Sequence, residues 1–157
     1  MPVGKDEVIK SLRESQQELE SVASSLPEAA WSKGVYEAGW NAKQLLCHLA
    51  ENSGVAGYLL GLAQAPAGAG TGGGLDVDAW NAQRVAALQE KPLSELLNAA
   101  RTNCERNIAA VEGASNEVLS RSIRAPWGVE GPLADVIVQS IQGHGGMHLA
   151  DLRTAIA

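Results

Sequence analysis

Residues 40–64 read WNAKQLLCHLAENSGVAGYLLGLAQ, and the first five of them decide how the rest is taken. Asn41 is a residue type whose side chain accepts a hydrogen bond from the first turn of a helix, and Gln44, three positions on, can return a bond to the Asn41 amide. That reciprocal pair predicts a helix start. Behind it Leu45, His48, Asn52, Val55 and Leu59 recur at steps of three and four, one stripe of a 3.6-residue period, so the whole stretch is expected to be a single amphipathic helix. It stops at APAGAGTGGG, residues 65–74, a glycine-rich surface loop without helix-forming power. The loop has neither a lysine nor a GxxxxGK spacing, which argues against a phosphate cradle.

The same period extends in both directions. From about Asp6 to Leu26, Ile9, Leu12, Leu19, Val22 and Leu26 mark one helix that ends before Pro27. A third helical region runs from about Val77 to Val111, and Pro92 inside it predicts a break near Lys91, because proline fits the first turn of a new helix and not the middle of an old one. A short helical piece near Asn116 to Leu119 leads through RAPWGVEGP, residues 124–132, into a last helix expected from about Pro132 to the C-terminus. No stretch alternates convincingly as a strand. Four main helices with short or moderate connections define an all-α four-helix bundle with a divided third helix. With no internal repeat and no second compositional regime, residues 1–157 are expected to form a single domain.

Composition restricts the function. Of the 157 residues, 45% are hydrophobic, enough for one substantial core without a disulfide framework. Twelve Lys and Arg are scattered among 18 acids, for a net charge of -6 and a pI near 5.0, which argues against nucleic acid and anionic membranes as partners. No apolar run approaches the roughly 20 residues that cross a bilayer. Two cysteines, Cys47 and Cys104, and a polar N-terminus without a secretory h-region predict a reduced, cytoplasmic setting.

The chain has three histidines. On the last helix Leu133, Ile137, Ile141, His144, His148, Asp151 and Ala155 fall on one side, which places both of its histidines on a core-facing stripe, one helical turn apart. Neighbours at i and i+4 can converge on one metal ion. If the second helix faces the last, His48 joins them in a three-histidine set with open coordination positions, the pattern of a reactive metal and not of a closed structural one. The plainer alternative is three hydrogen-bonded core histidines. Asp151 is placed to orient an imidazole, as Glu51, one turn beyond His48, is less favourably. Cys47 diverges by about 100° from His48 and is expected to be a small buried hydrophobe. Gly145 and Gly146 each weaken the helix by about 1 kcal/mol relative to alanine, so a close neighbour or a ligand is expected to account for them. Trp80, after the glycine-rich loop, is a candidate for a pocket mouth.

The stretch GWNAKQLLCHLAEN resembles the signature of the DinB-like superfamily, and GHGGMHLADLR resembles its closing H-x-x-x-H helix. The Pro126-Trp127-Gly128 element and the divided third helix extend that resemblance over essentially the whole chain. It implies an up-down-down-up four-helix bundle, often homodimeric, with His48, His144 and His148 as ligands of a divalent metal, Zn2+ or Ni2+. It also implies a metal-dependent transferase or isomerase that uses a low-molecular-weight thiol such as mycothiol, bacillithiol or glutathione on a small-molecule electrophile. Where many members carry bulkier residues in the closing motif, Gly145 and Gly146 imply more space near the metal. The alternative is a non-catalytic metal- or small-ligand-binding stress-response module, and a third is an inert bundle. Apolar positions on more than one side of the third region (Val77, Trp80, Val85, Leu88) point, like the resemblance, to a homodimer.

Overall fold

The computed structural model describes residues 3–35, 39–52, 55–65 and 77–156. The first helix, α1, spans Lys5–Ser25 and buries Val8, Leu12, Leu19 and Val22, close to the expected stripe. A 3-10 turn at Glu28–Ser32 follows, burying Ala30 and Trp31. The capping box forms as the sequence requires: the Gln44 amide donates to Asn41 Oδ1 at 2.8 Å and the Asn41 amide to Gln44 Oε1 at 3.0 Å. The helix it starts is described over Ala42–Asn52 (α2) and Val55–Gln64 (α3). Ser53 and Gly54 between them, and nearly all of the glycine-rich loop, lie outside the described residues.

The third region divides where Pro92 predicts, into α4 at Val77–Leu88 and α5 at Leu93–Gly113, with Pro92 capping α5. The Gln44 side chain donates to Gln89 Oε1 at 3.0 Å and ties that turn to α2. After α6 (Asn116–Ser120) the chain departs from expectation. Ser122–Arg124 (β1) and Glu130–Pro132 (β2) pair as a small antiparallel hairpin. Its loop closes through Gly128, whose N–H donates to the Ala125 carbonyl at 2.9 Å and whose φ of 94° is open mainly to glycine. Three paired residues a side are too few to show period-two alternation, which is why the hairpin was invisible in the pattern.

The fold is an up-down-down-up four-helix bundle in which α5 packs on α1 along one side and on α2 and α3 along the other, while the terminal helix closes the remaining side against α1, α2 and α3. Two apolar clusters hold it. One gathers Leu19, Val22, Trp31, Leu45, Leu46, Leu49, Leu96, Leu149 and Leu152; the other gathers Val8, Leu12, Leu59, Leu60, Ile108, Val111, Leu133, Val136 and Ile137. α1 and α5 therefore each cross a waist between the two clusters, and polar residues mark it: Ser15 and Gln16 on α1 and Asn103 on α5, with Ser11 and Asn107 one turn further into the second cluster. Asn103 Nδ2 donates to the Ala50 carbonyl near the end of α2, and Asn107 Oδ1 accepts from the Gly57 amide in the first turn of α3, both at 3.1 Å. These bonds tie α5 to backbone groups of both α2 and α3.

The terminal rod crosses the waist by a wide turn. It consists of α7 (Leu133–Gln139), a π-helical segment at Ser140–Gly145, and α8 (Gly146–Arg153). In an unbroken α-helix Leu149 would stand about 120° from Ile137, off the core stripe; a π turn holds about one residue more and returns roughly 100° of that. Leu149 and Leu152 consequently enter the core beside His148 and Ala155, which are buried as expected; of the expected stripe beyond the segment only Asp151 departs, being half-buried while its neighbour Leu152 is fully buried. Leu152→Ala should therefore cost about 2–5 kcal/mol in urea unfolding, whereas Asp151→Ala should stay within about 1 kcal/mol. Equal costs would contradict this register.

Candidate metal centre

The waist is where the histidines meet. His48 comes from the middle of α2, on the face turned toward the terminal helix; His144 lies inside the π segment; His148 lies in the first turn of α8. Their ligand atoms all fall within 4.8 Å of one another. His144 Nε2 is 3.3 Å from His48 Nε2 and 3.0 Å from His148 Nε2. The three rings stand nearly perpendicular, with interplanar angles of 84°, 89° and 88°. His48 and His148 are buried, at 3% and 1% exposure. His144 is exposed, which corrects its expected place on the core stripe; the π turn swings it outward.

These spacings test whether the group fits a cation. Two nitrogens bound to one Zn2+ at about 2.0–2.1 Å on a tetrahedral frame stand roughly 3.3–3.4 Å apart, near the two separations observed. Hydrogen bonding among the rings does not account for the arrangement as well. An imidazole nitrogen carries either a proton or a lone pair in its plane, so a proton on His144 Nε2 can serve one of its two neighbours and not both.

Electrostatics agree. Burial, and then the neighbouring His148 and His144, push the pKa of His48 down to about 3. Burial, then His144, bring His148 down to about 4 against the opposing pull of Asp151. Burial lowers His144 as well, even though the residue as a whole is exposed, because its ring lies among the other two. All three imidazoles are therefore neutral at pH 7, with lone pairs free of proton competition. Asp151 Oδ2 lies 3.8 Å from His148 Nδ1, too far for a hydrogen bond but close enough to favour a proton on that nitrogen. The Glu51 side chain lies outside the described residues.

Other expectations resolve individually. Cys47 is fully buried among the apolar residues of its cluster and is not part of the histidine group. The Cys104 thiol donates to the Leu12 carbonyl at 3.5 Å, and burial pushes its pKa up, so it is no nucleophile. Nothing lies within 4 Å of a Cβ built on Gly143, Gly145 or Gly146, so close helix approach does not account for these glycines. Gly146 instead lines a groove of about 200 Å³ against α1, beside Ser11, Glu14, Ser15 and Glu18. Trp80 is half exposed with the Arg84 guanidinium 5.8 Å from its ring. The sequence reading missed Trp40, whose ring centroid is 5.1 Å from that of His48 at a tilt of 49°. Its place just before the capping box was the available signal, since a bulky residue there packs back on the helix it precedes.

A four-helix bundle whose second and last rods bring three imidazoles to one waist defines a helical protein with a candidate metal centre. The chain belongs to the DinB superfamily, whose family model matches residues 11–152. Among solved structures it resembles the mycothiol-dependent maleylpyruvate isomerase, with a TM-score of 0.73 and 17% identity over 96% of this chain. The chain spans 61% of that protein's length. It also resembles YfiT from Bacillus subtilis, described as a probable metal-dependent hydrolase with an unusual four-helix bundle topology, at a TM-score of 0.71 and 16% identity, covering 96% of this chain and 85% of the other. At such identities the likeness shows the fold. No curated protein matches the chain. Among the described residues no helix is long and apolar enough to cross a membrane.

Proposed function

We propose that His48, His144 and His148 are the ligands of one divalent cation, Zn2+ or Ni2+, and that the protein is a metal-dependent enzyme that transfers a low-molecular-weight thiol to, or isomerises with its help, a small electrophilic substrate. The observation that carries this reading is the convergence of three neutral imidazoles within 4.8 Å. The cation would supply a Lewis acid that lowers the pKa of a thiol brought to it. The chain's own residues do the rest. Buried His48 and His148 anchor the site from two rods. Asp151 favours the Nδ1–H tautomer of His148, which leaves Nε2 as the donor atom. Trp40 covers one side of His48, and exposed His144 marks the side from which thiol and substrate enter. The mycothiol dependence of the isomerase that shares this fold supports the choice of a thiol.

The test is consumption of mycothiol, bacillithiol or glutathione by epoxide or maleylpyruvate-like electrophiles, measured on Zn2+- or Ni2+-loaded protein. Turnover that disappears in His48→Ala supports the reading. Bound metal without thiol consumption would contradict the enzyme and leave a binding module.

We also propose a homodimer, in a narrower form than the sequence alone suggests. Val85 is buried in the chain's own core and Leu88 packs against it, so neither needs a partner; the Val77 side chain lies outside the described residues. What remains is α4, which leaves Trp80 and its alanine-rich outer face exposed. Light scattering should give twice the chain mass of 16.4 kDa, and a mass of 16.4 kDa at high concentration would overturn the dimer.

A further inference from the structure

The three histidines are held unequally. His48 and His148 are buried on regular α-helix, while His144 is exposed in the middle of a segment in which no residue is buried. Glycines flank it at 143 and 145, with a third at 146. All are in ordinary helical territory, since the positive-φ glycines of the described residues lie elsewhere, and a Cβ on any of them would meet only open space. Neither backbone geometry nor packing therefore demands glycine here. What glycine contributes instead is a low cost of leaving the helical state. The segment is fixed at both ends: Trp127 Nε1 donates to Ser140 Oγ at 3.2 Å where it begins, and buried His148 and Leu149 follow it. A turn that is wide, unburied and glycine-rich between two fixed ends can open without unseating either core cluster.

From this we infer that the glycine-flanked π turn is a hinge and His144 the exchangeable ligand of the site: the turn opens, His144 swings away, and the two buried histidines keep their places while metal enters or leaves. The inference rests on the assignment of the three histidines as metal ligands. It explains why three helix-weakening glycines, at 143, 145 and 146, stand around the exposed histidine with no steric reason for any of them.

The experiment follows Zn2+ release from the full chain into a chromogenic chelator by stopped flow, comparing the parent with Gly143→Ala, Gly145→Ala and Gly61→Ala. Gly61 lies in α3, equally open at its Cβ, and reports what a general gain in helix stability does. Each of the first two substitutions should slow release about five-fold, the rate equivalent of the roughly 1 kcal/mol by which alanine favours the helical state over glycine, and the double variant about 25-fold. Gly61→Ala should raise the melting temperature and leave release unchanged. If every variant holds one equivalent of Zn2+ and releases it at the parent's rate, the hinge is overturned while the ligand assignment stands. If Gly61→Ala slows release as much as the others, overall stability controls it and the hinge is likewise overturned. A parent that takes up no Zn2+ overturns the ligand assignment, and the hinge with it.

Discussion

Replacing His48 by alanine is expected to lower Zn2+ affinity by at least about 100-fold, since losing even an outer partner of a metal ligand costs about 10–100-fold and His48 is itself one of three donors. His148→Ala should do the same, because both rings are buried and hold fixed positions. His144→Ala should be milder, leaving weak binding at the two anchored nitrogens. The cost to the fold should run the other way. Removing His48 or His148 from the waist takes out a buried polar ring that lies beside two others, so without metal these variants should melt within a few degrees of the parent. Competition against a calibrated chelator gives the affinities and calorimetry the melting temperatures. Equal affinities for parent and His48→Ala would refute the site.

Acidification carries the second large effect. Above pH 6.5 the imidazoles are neutral in both the folded and the unfolded chain. Between about 6.5 and the folded values of about 3 for His48 and about 4 for His148, the unfolded chain takes up protons that the native one refuses, so stability falls as the pH drops through that window. Metal strengthens the same dependence, because only neutral imidazoles bind it. With metal at about 100 times its Kd, binding adds about 2.7 kcal/mol, or roughly 5–10 °C in melting temperature for a chain of this size. A chelator should therefore lower the melt by that amount at pH 7.5 and have no effect near pH 5. A melt unmoved by the chelator at pH 7.5, with the metal shown to have been extracted, would count against the site.

Much of the bundle was legible because its signals are local. The Asn41–Gln44 box, the Pro92 break and the period of α1 depend on residues within a few positions of each other, where backbone hydrogen bonding and proline sterics act irrespective of tertiary context. The three histidines could be brought together on paper since the helix faces of His48 and His148 follow from the same arithmetic. The π turn could not, because it answers a long-range demand: two core clusters that the terminal rod must serve in different phase. Its trace in the sequence is that Leu149 and Leu152 fall one residue out of register with Leu133 and Ile137, beside three glycines, and a stripe drawn on a uniform helix absorbs that mismatch without showing it. The expected third-region dimer face overcounted for a related reason, since Val85 turns inward once α4 is set beside α2.

The most direct test of the central claim is to follow the imidazole nitrogens themselves. In nitrogen-15 correlation spectra of the full chain titrated with Zn2+ at pH 7.5, the Nε2 resonances of His48, His144 and His148 should all move together and saturate at one equivalent, with Nδ1 of His148 keeping its proton toward Asp151. Saturation with only one or two of the three nitrogens shifted, or shifts that continue past one equivalent, would contradict a single three-histidine centre.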